Sequence, residues 1–123
     1  MKLIKLTTLK MRNLILGSVL FLIGQVAVFY QINGQFFSKW FKENPLLTIL
    51  LGIPISAVYL YGAKYLVAAF EGELWPTRLI AYAIGIFAFT VLTYLHLNEG
   101  ITMKTGVCLL LSVAILLIQL FWK

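Results

Sequence analysis

Thr77–Thr102 reads TRLIAYAIGIFAFTVLTYLHLNEGIT, an apolar run set between an arginine and an acidic turn. From Leu79 to Leu97, 19 residues carry no formal charge with His96 neutral. At about 1.5 Å per helical residue they cross a hydrocarbon core of about 30 Å, so the stretch predicts a transmembrane helix. Ala81, Gly85 and Ala88 recur at i, i+4 and i+7 and give that helix a face small enough for another backbone to come close, the usual means of helix association in lipid. Tyr82 and Phe89 point elsewhere, toward lipid or a cavity.

Composition extends this reading to the whole chain. Of 123 residues, 62% are hydrophobic and 11% charged, and the mean hydropathy is +0.97. A soluble domain of this size has too little interior to hide that much apolar surface, so the expected solvent is lipid. The net charge of +6 would suggest nucleic acid in a soluble protein. Here the basic residues stand at segment ends, where they anchor to headgroups and set orientation, which argues against nucleic-acid binding. The single cysteine, Cys108, excludes an internal disulfide and reads as a small packing residue.

Working outward, four spans are expected, at about 14–32, 46–64, 79–97 and 105–122, in one integral membrane domain covering 1–123. The fold class is all-α, a four-helix transmembrane bundle with short loops. The leading MKLIKLTTLKMRN holds Lys2, Lys5, Lys10 and Arg12 without an acid, like the n-region of a signal peptide. The run after it is too long for an h-region and lacks a small-residue cleavage site, so an uncleaved first span is expected, with Met11 as a second candidate start. In that span Gly17, Gly24 and Gln31 are seven apart and share a face, while Gln25 lies about 100° from Gly24. An amide in hydrocarbon is costly without a partner, so both glutamines should face protein or a wet cavity, either as packing hydrogen bonds or as ligand-facing groups.

GQFFSKWFKENP (34–45) interleaves aromatics with lysines as an interfacial belt, and Asn44-Pro45 opens the second span. Gly52 and Pro54 should kink that span. Tyr59 and Tyr61 follow, and Lys64 is expected to snorkel to the interface. If the helix instead continues to Phe70, Lys64 becomes an intramembrane cation in need of a carboxylate or a carbonyl. Glu71 and Glu73 form a close carboxylate pair with no histidine or third carboxylate nearby, which reads as a solvated turn rather than a metal or acid–base site. Arg78 would reach headgroup phosphates or pair with one of them. His96 alone makes no metal site. In the last span Thr105, Cys108, Ser112 and Gln119 form a mildly polar seam suited to self-association. No GxSxG, HExxH or P-loop pattern occurs, and neither enzyme chemistry nor a cofactor or metal is expected.

Tyr65 to Lys123 carries a turn with Pro76, then AYAIGIFAFTVLTYL, the turn NEGITMK, and a last helix ending in ILLIQLF. The first half has glycines ahead of QINGQF. This pattern resembles the small multidrug resistance family and, more widely, a half-unit of the drug/metabolite transporter superfamily. The resemblance implies a dimer in which helices one to three form a chamber and helix four supplies the dimer contact, in a bacterial inner membrane. Members that exchange protons for cations use a glutamate in the first helix. This chain has no carboxylate there, and Gln25 stands nearest to the expected depth.

Glutamine releases no proton, so the expected cargo is a neutral or amphipathic small solute. The expected chamber residues are Gln25, Gln31, Tyr59 and Tyr61, and the expected helix or dimer contacts are Ala81, Gly85, Ala88, Cys108, Ser112 and Gln119. The alternative is a non-transporting subunit or scaffold bound to a larger membrane protein complex.

With four crossings, the N-terminus, second loop and C-terminus share a side and hold Lys2, Lys5, Lys10, Arg12, Lys64, Arg78 and Lys123. Only Lys39, Lys42 and Lys104 lie opposite. The positive-inside rule then places both termini in the cytoplasm. Reporters active only in the cytoplasm, fused to either end, should both be active, and a silent reporter at one end would show an odd number of crossings.

Overall fold

The computed structural model describes residues 2–122, apart from the side chain of Leu120. The described residues are helical with no strand: α1 Lys2–Asn33, α2 Lys39–Glu43, α3 Pro45–Leu50, α4 Gly52–Ala69, α5 Leu74–Leu97 and α6 Met103–Phe121. Three helices, Lys2–Phe36, Pro45–Ala69 and Leu74–Leu97, are long and apolar enough to cross a membrane, and Met103–Gln119 is a shorter apolar helix. The architecture is therefore all-α and compatible with an integral membrane protein.

Helix boundaries exceed the apolar segments for local reasons. α1 starts at Lys2 rather than near residue 14, because Leu, Lys, Met and Arg are good helix formers and nothing before Gly17 breaks the ladder. Thr7 and Thr8 donate their hydroxyls to the carbonyls of Leu3 and Ile4, satisfying themselves inside the helix. With 32 residues, α1 is about 48 Å long, about 18 Å more than a hydrocarbon core. α5 starts at Leu74, so Pro76 sits in its first turn, where a missing N–H costs nothing.

The second apolar segment is broken at Leu51. Pro54 has no N–H to offer Leu50, and α3 ends there, while Leu51 N–H is shared between Leu47 O and Thr48 O. α4 then runs on to Ala69, past the expected end near Lys64. It closes in a tight turn in which Glu71 and Gly72 take left-handed φ of 56° and 91° and Gly72 N–H bonds to Val67 O. Lys64 lies exposed on the outer side of α4, five residues before its end. Lys123, expected at the interface, lies outside the described residues.

α1 is the hub. It packs along α4 and along α5, α6 leans mainly on α5, and α4 and α5 barely touch each other. Against α4 it runs antiparallel through small-into-large pairs. A Cβ on Gly17 would meet Leu66, one on Gly62 would meet Phe21, one on Gly24 would meet Tyr59, and one on Gly52 would meet Gln31. Phe21, Leu66 and Ala81 form the core, with Leu66 completely buried. The shared face read for Gly17, Gly24 and Gln31 is thus the α4 contact.

Beyond Gln25, Phe29 meets Phe89 edge-on at 5.7 Å, and Phe37 stacks on His96 at 4.4 Å and 7°. Tyr30 Oη lies 2.7 Å from His96 Nε2. His96 therefore ties the end of α1 to the end of α5.

Gly17→Ala places its Cβ 2.6 Å from Leu66 Cγ and 2.9 Å from Leu66 N. It should cost about 1–3 kcal/mol by overpacking. Gly106→Ala, whose Cβ has nothing nearer than 3.7 Å, should be neutral or up to about 1 kcal/mol stabilising. Unfolding of the two variants in mixed micelles of neutral detergent and dodecyl sulfate checks the pair.

Candidate functional site

Because α4 and α5 pack along α1 and only barely touch each other, a cleft of about 750 Å³ opens between the three helices. Its lining follows helical periodicity on each wall. Ser56, Tyr59, Leu60 and Ala63 stand at i, i+3, i+4 and i+7 on α4; Arg78, Ala81, Tyr82 and Gly85 do the same on α5; Phe21 and Gln25 come from α1. A second groove of about 510 Å³ continues from it past Leu74 and Trp75, sharing Phe21, Ala63, Arg78 and Ala81 with the cleft.

Of the four expected chamber residues, the structure brings two together. Gln25 and Tyr59 face each other across the cleft, the tyrosine half-buried with its ring against Phe21 at 5.4 Å. Tyr61 does not join them: two residues along a helix turn the side chain by about 200°, and Tyr61 is 54% exposed on the outer face beside Lys64. Gln31 also stands apart, since its Nε2 donates to Thr48 O at 3.1 Å, beside the break at Leu51. That carbonyl precedes the break, so the glutamine serves the kink. Among the described residues Gln25 makes no side-chain hydrogen bond, and its carboxamide lies over Gly85, where a Cβ would come within 3.0 Å.

The small residues of α5 serve contacts within the chain. Ala81 and Ala88 are buried and Gly85 receives Gln25. On α6, Ser112 is buried and donates to Cys108 O at 2.9 Å, Gln119 is half-buried, and Cys108 itself is exposed. Thr105 leaves the expected seam. Its N–H donates to Thr102 Oγ1 at 3.2 Å and its hydroxyl lies 3.0 Å from the same oxygen, so it belongs to the α6 N-cap.

No protein-family model, curated protein or solved structure matches this chain. The site is therefore read from its own geometry.

Among the polar groups of the cleft, Ser56 and Arg78 escaped the sequence reading. Tyr82 was expected toward lipid or a cavity, and it lines the cavity. Arg78 was expected at headgroups or paired with Glu71 or Glu73. Among the described residues the one ion pair is the exposed Lys39–Glu43 at 3.7 Å, and Arg78 lines the cleft without a carboxylate partner. The signal was present in the α5 stripe: three residues back from Ala81, on the same face, is Arg78.

Chemically the cleft offers an unengaged amide, hydroxyls from Ser56, Tyr59 and Tyr82, one guanidinium and apolar walls. Such groups can hydrogen-bond and orient a ligand. They include no nucleophile–base pair.

The different surroundings of the glutamines give a test. Gln31→Leu removes the side-chain donor to Thr48 O, leaving that carbonyl only its share of Leu51 N–H, and should cost about 1 kcal/mol of stability. Gln25→Leu breaks no hydrogen bond and should stay within about 0.5 kcal/mol of the parent. Denaturation in neutral detergent micelles measures both, and equal losses would show that Gln25 is also a packing bond.

Proposed function

We propose that this chain is a small transporter-like integral membrane protein that holds a neutral or amphipathic solute in the cleft between α1, α4 and α5. In this reading α1, the α3–α4 segment, α5 and α6 all cross the bilayer, as the small-multidrug-resistance resemblance implies. Both termini face the cytoplasm of a bacterial cell. The observation that carries the proposal is Gln25. It is a half-buried amide in a span, free of any side-chain hydrogen bond among the described residues, aimed into a cleft with Tyr59 and Ser56 opposite. Polar groups at such depth are costly and commonly mark solute pathways. Its amide neither takes up nor releases a proton, which fits a cargo moved without proton exchange at this position.

The protein acts as a dimer in this reading. α6 packs mainly on α5 and leaves Leu110, Leu111, Leu117 and Phe121 exposed along its outer side. The same exposed helix also favours the second reading, a non-transporting subunit that docks on a larger membrane protein. Purification separates the two: a stable isolated dimer supports the first, and co-purification with another protein in fixed ratio supports the second.

In proteoliposomes, uptake of small neutral and amphipathic solutes should exceed that of empty vesicles. Gln25→Ala should lower it at least about tenfold, the loss of roughly 1.4 kcal/mol of differential binding. Tyr61→Phe, on the outer face, should leave it unchanged. Uptake equal in parent, Gln25→Ala and empty vesicles would refute the transport reading.

A further inference from the structure

Arg78 stands where two different compartments meet. On one side is the cleft with Gln25, Ser56, Tyr59 and Tyr82; on the other is the apolar groove of Leu74 and Trp75. It is the one charged side chain among the residues lining either space. Glu71 and Glu73, the nearest carboxylates in sequence, are exposed and make no ion pair with it among the described residues. Arg78 is an exposed residue that lines a space with no counter-charge, between a cleft that carries polar groups and an apolar groove.

We propose that the combined space binds an anionic amphiphile, with its phosphate or carboxylate head on Arg78 and its alkyl chain along Phe21, Ala63, Leu74 and Trp75. The planar guanidinium presents paired donors that match both oxygens of such a head. Tyr59, Tyr82 and Gln25 line the same cleft as Arg78 and offer further donors to such a head. A cationic amphiphile meets repulsion from Arg78 and finds no carboxylate on the walls. This inference rests on the ligand-binding reading of the cleft and narrows its ligand to one sign of charge.

Trp75 in the groove is a natural reporter. The full chain carrying Trp40→Phe and Trp122→Phe, purified in a neutral maltoside detergent, is titrated with dodecyl phosphate, with dodecyltrimethylammonium and with dodecanol while Trp75 fluorescence is followed. Dodecyl phosphate should give a saturable change. Arg78→Gln should weaken it at least about tenfold, Arg78→Lys should retain most of it, and the cation should neither bind nor compete. Unchanged binding in Arg78→Gln, equal binding of the cation, or no saturable response in the parent would overturn the proposal.

Repeating the titration in phosphatidylcholine nanodiscs identifies the source. Competition by added phosphatidic acid supports a membrane lipid as occupant, and binding of dodecyl phosphate without competition supports a free solute. The assay needs no flux. Binding without transport would refute the transport reading alone, and transport of a neutral solute with no dodecyl phosphate binding would refute this inference alone.

Discussion

The contact on which the rest depends is the seam between α1 and α4. A residue with little or no side chain on one helix receives a large one from the other at Gly17–Leu66, Gly62–Phe21 and Gly24–Tyr59, and Gly52 admits Gln31. The two residue numbers in every pair add to the same total, as two antiparallel helices in unbroken register require. In lipid there is no hydrophobic force pressing helices together, since acyl chains are as apolar as leucine. Close packing has to supply the attraction, and glycine makes it available by letting backbones approach. α5 joins the other flank of α1 in parallel, with Gln25 over Gly85 and Phe29 against Phe89, at a constant offset of residue number. Because α1 holds both partners, α4 and α5 have no need to meet, and the cleft is the space left between them.

Much of this was legible in the sequence because one-dimensional periodicity carries over directly to a helix. The apolar segments, the shared face of Gly17, Gly24 and Gln31, the small face of Ala81 and Gly85 and the kink at Gly52 and Pro54 all follow from counting along a helix. Helix ends were harder. Hydropathy marks where a chain can enter lipid, whereas the hydrogen-bond ladder continues until a turn or a breaker stops it. This is why α1 begins at Lys2 and α4 ends at Ala69. Contacts between distant segments were beyond reach: nothing in the residues near Tyr30 announces His96 as its partner. Nor does Thr105 advertise that its hydroxyl belongs with Thr102 rather than with Ser112.

The candidate site divides along the same line. Gln25 and Tyr59 were found because a polar group in an apolar run is conspicuous wherever it points. Tyr61 was grouped with Tyr59 on sequence proximity, but adjacent positions of one kind suggest a common site only where the chain is a strand or loop. On a helix, a spacing of two faces opposite ways. Arg78 was set aside because charge at the edge of a span has an ordinary use at headgroups. What changes its meaning is the wall it stands on, which becomes visible only when α1 and α4 are placed beside α5.

The two glutamines of α1 show how surroundings, rather than residue type, assign a role. A carbonyl oxygen has two lone pairs, and one that holds only a shared backbone bond beside a broken turn can take a side-chain donor as well. Gln31 lies opposite such a carbonyl, at Thr48, which also accepts from Leu51 N–H, and its amide is committed to it. Gln25 lies opposite unbroken helix on α4 and opposite Gly85 on α5, where all backbone groups already have partners within their own ladders. Its amide has nothing local to satisfy, and the same packing that brings α5 close enough to cover it with a glycine leaves its other side facing the cleft. An amide without a partner inside the chain is free to hydrogen-bond whatever occupies the cleft, so the register of the glycine seam and the polar character of the cleft are set by the same residues.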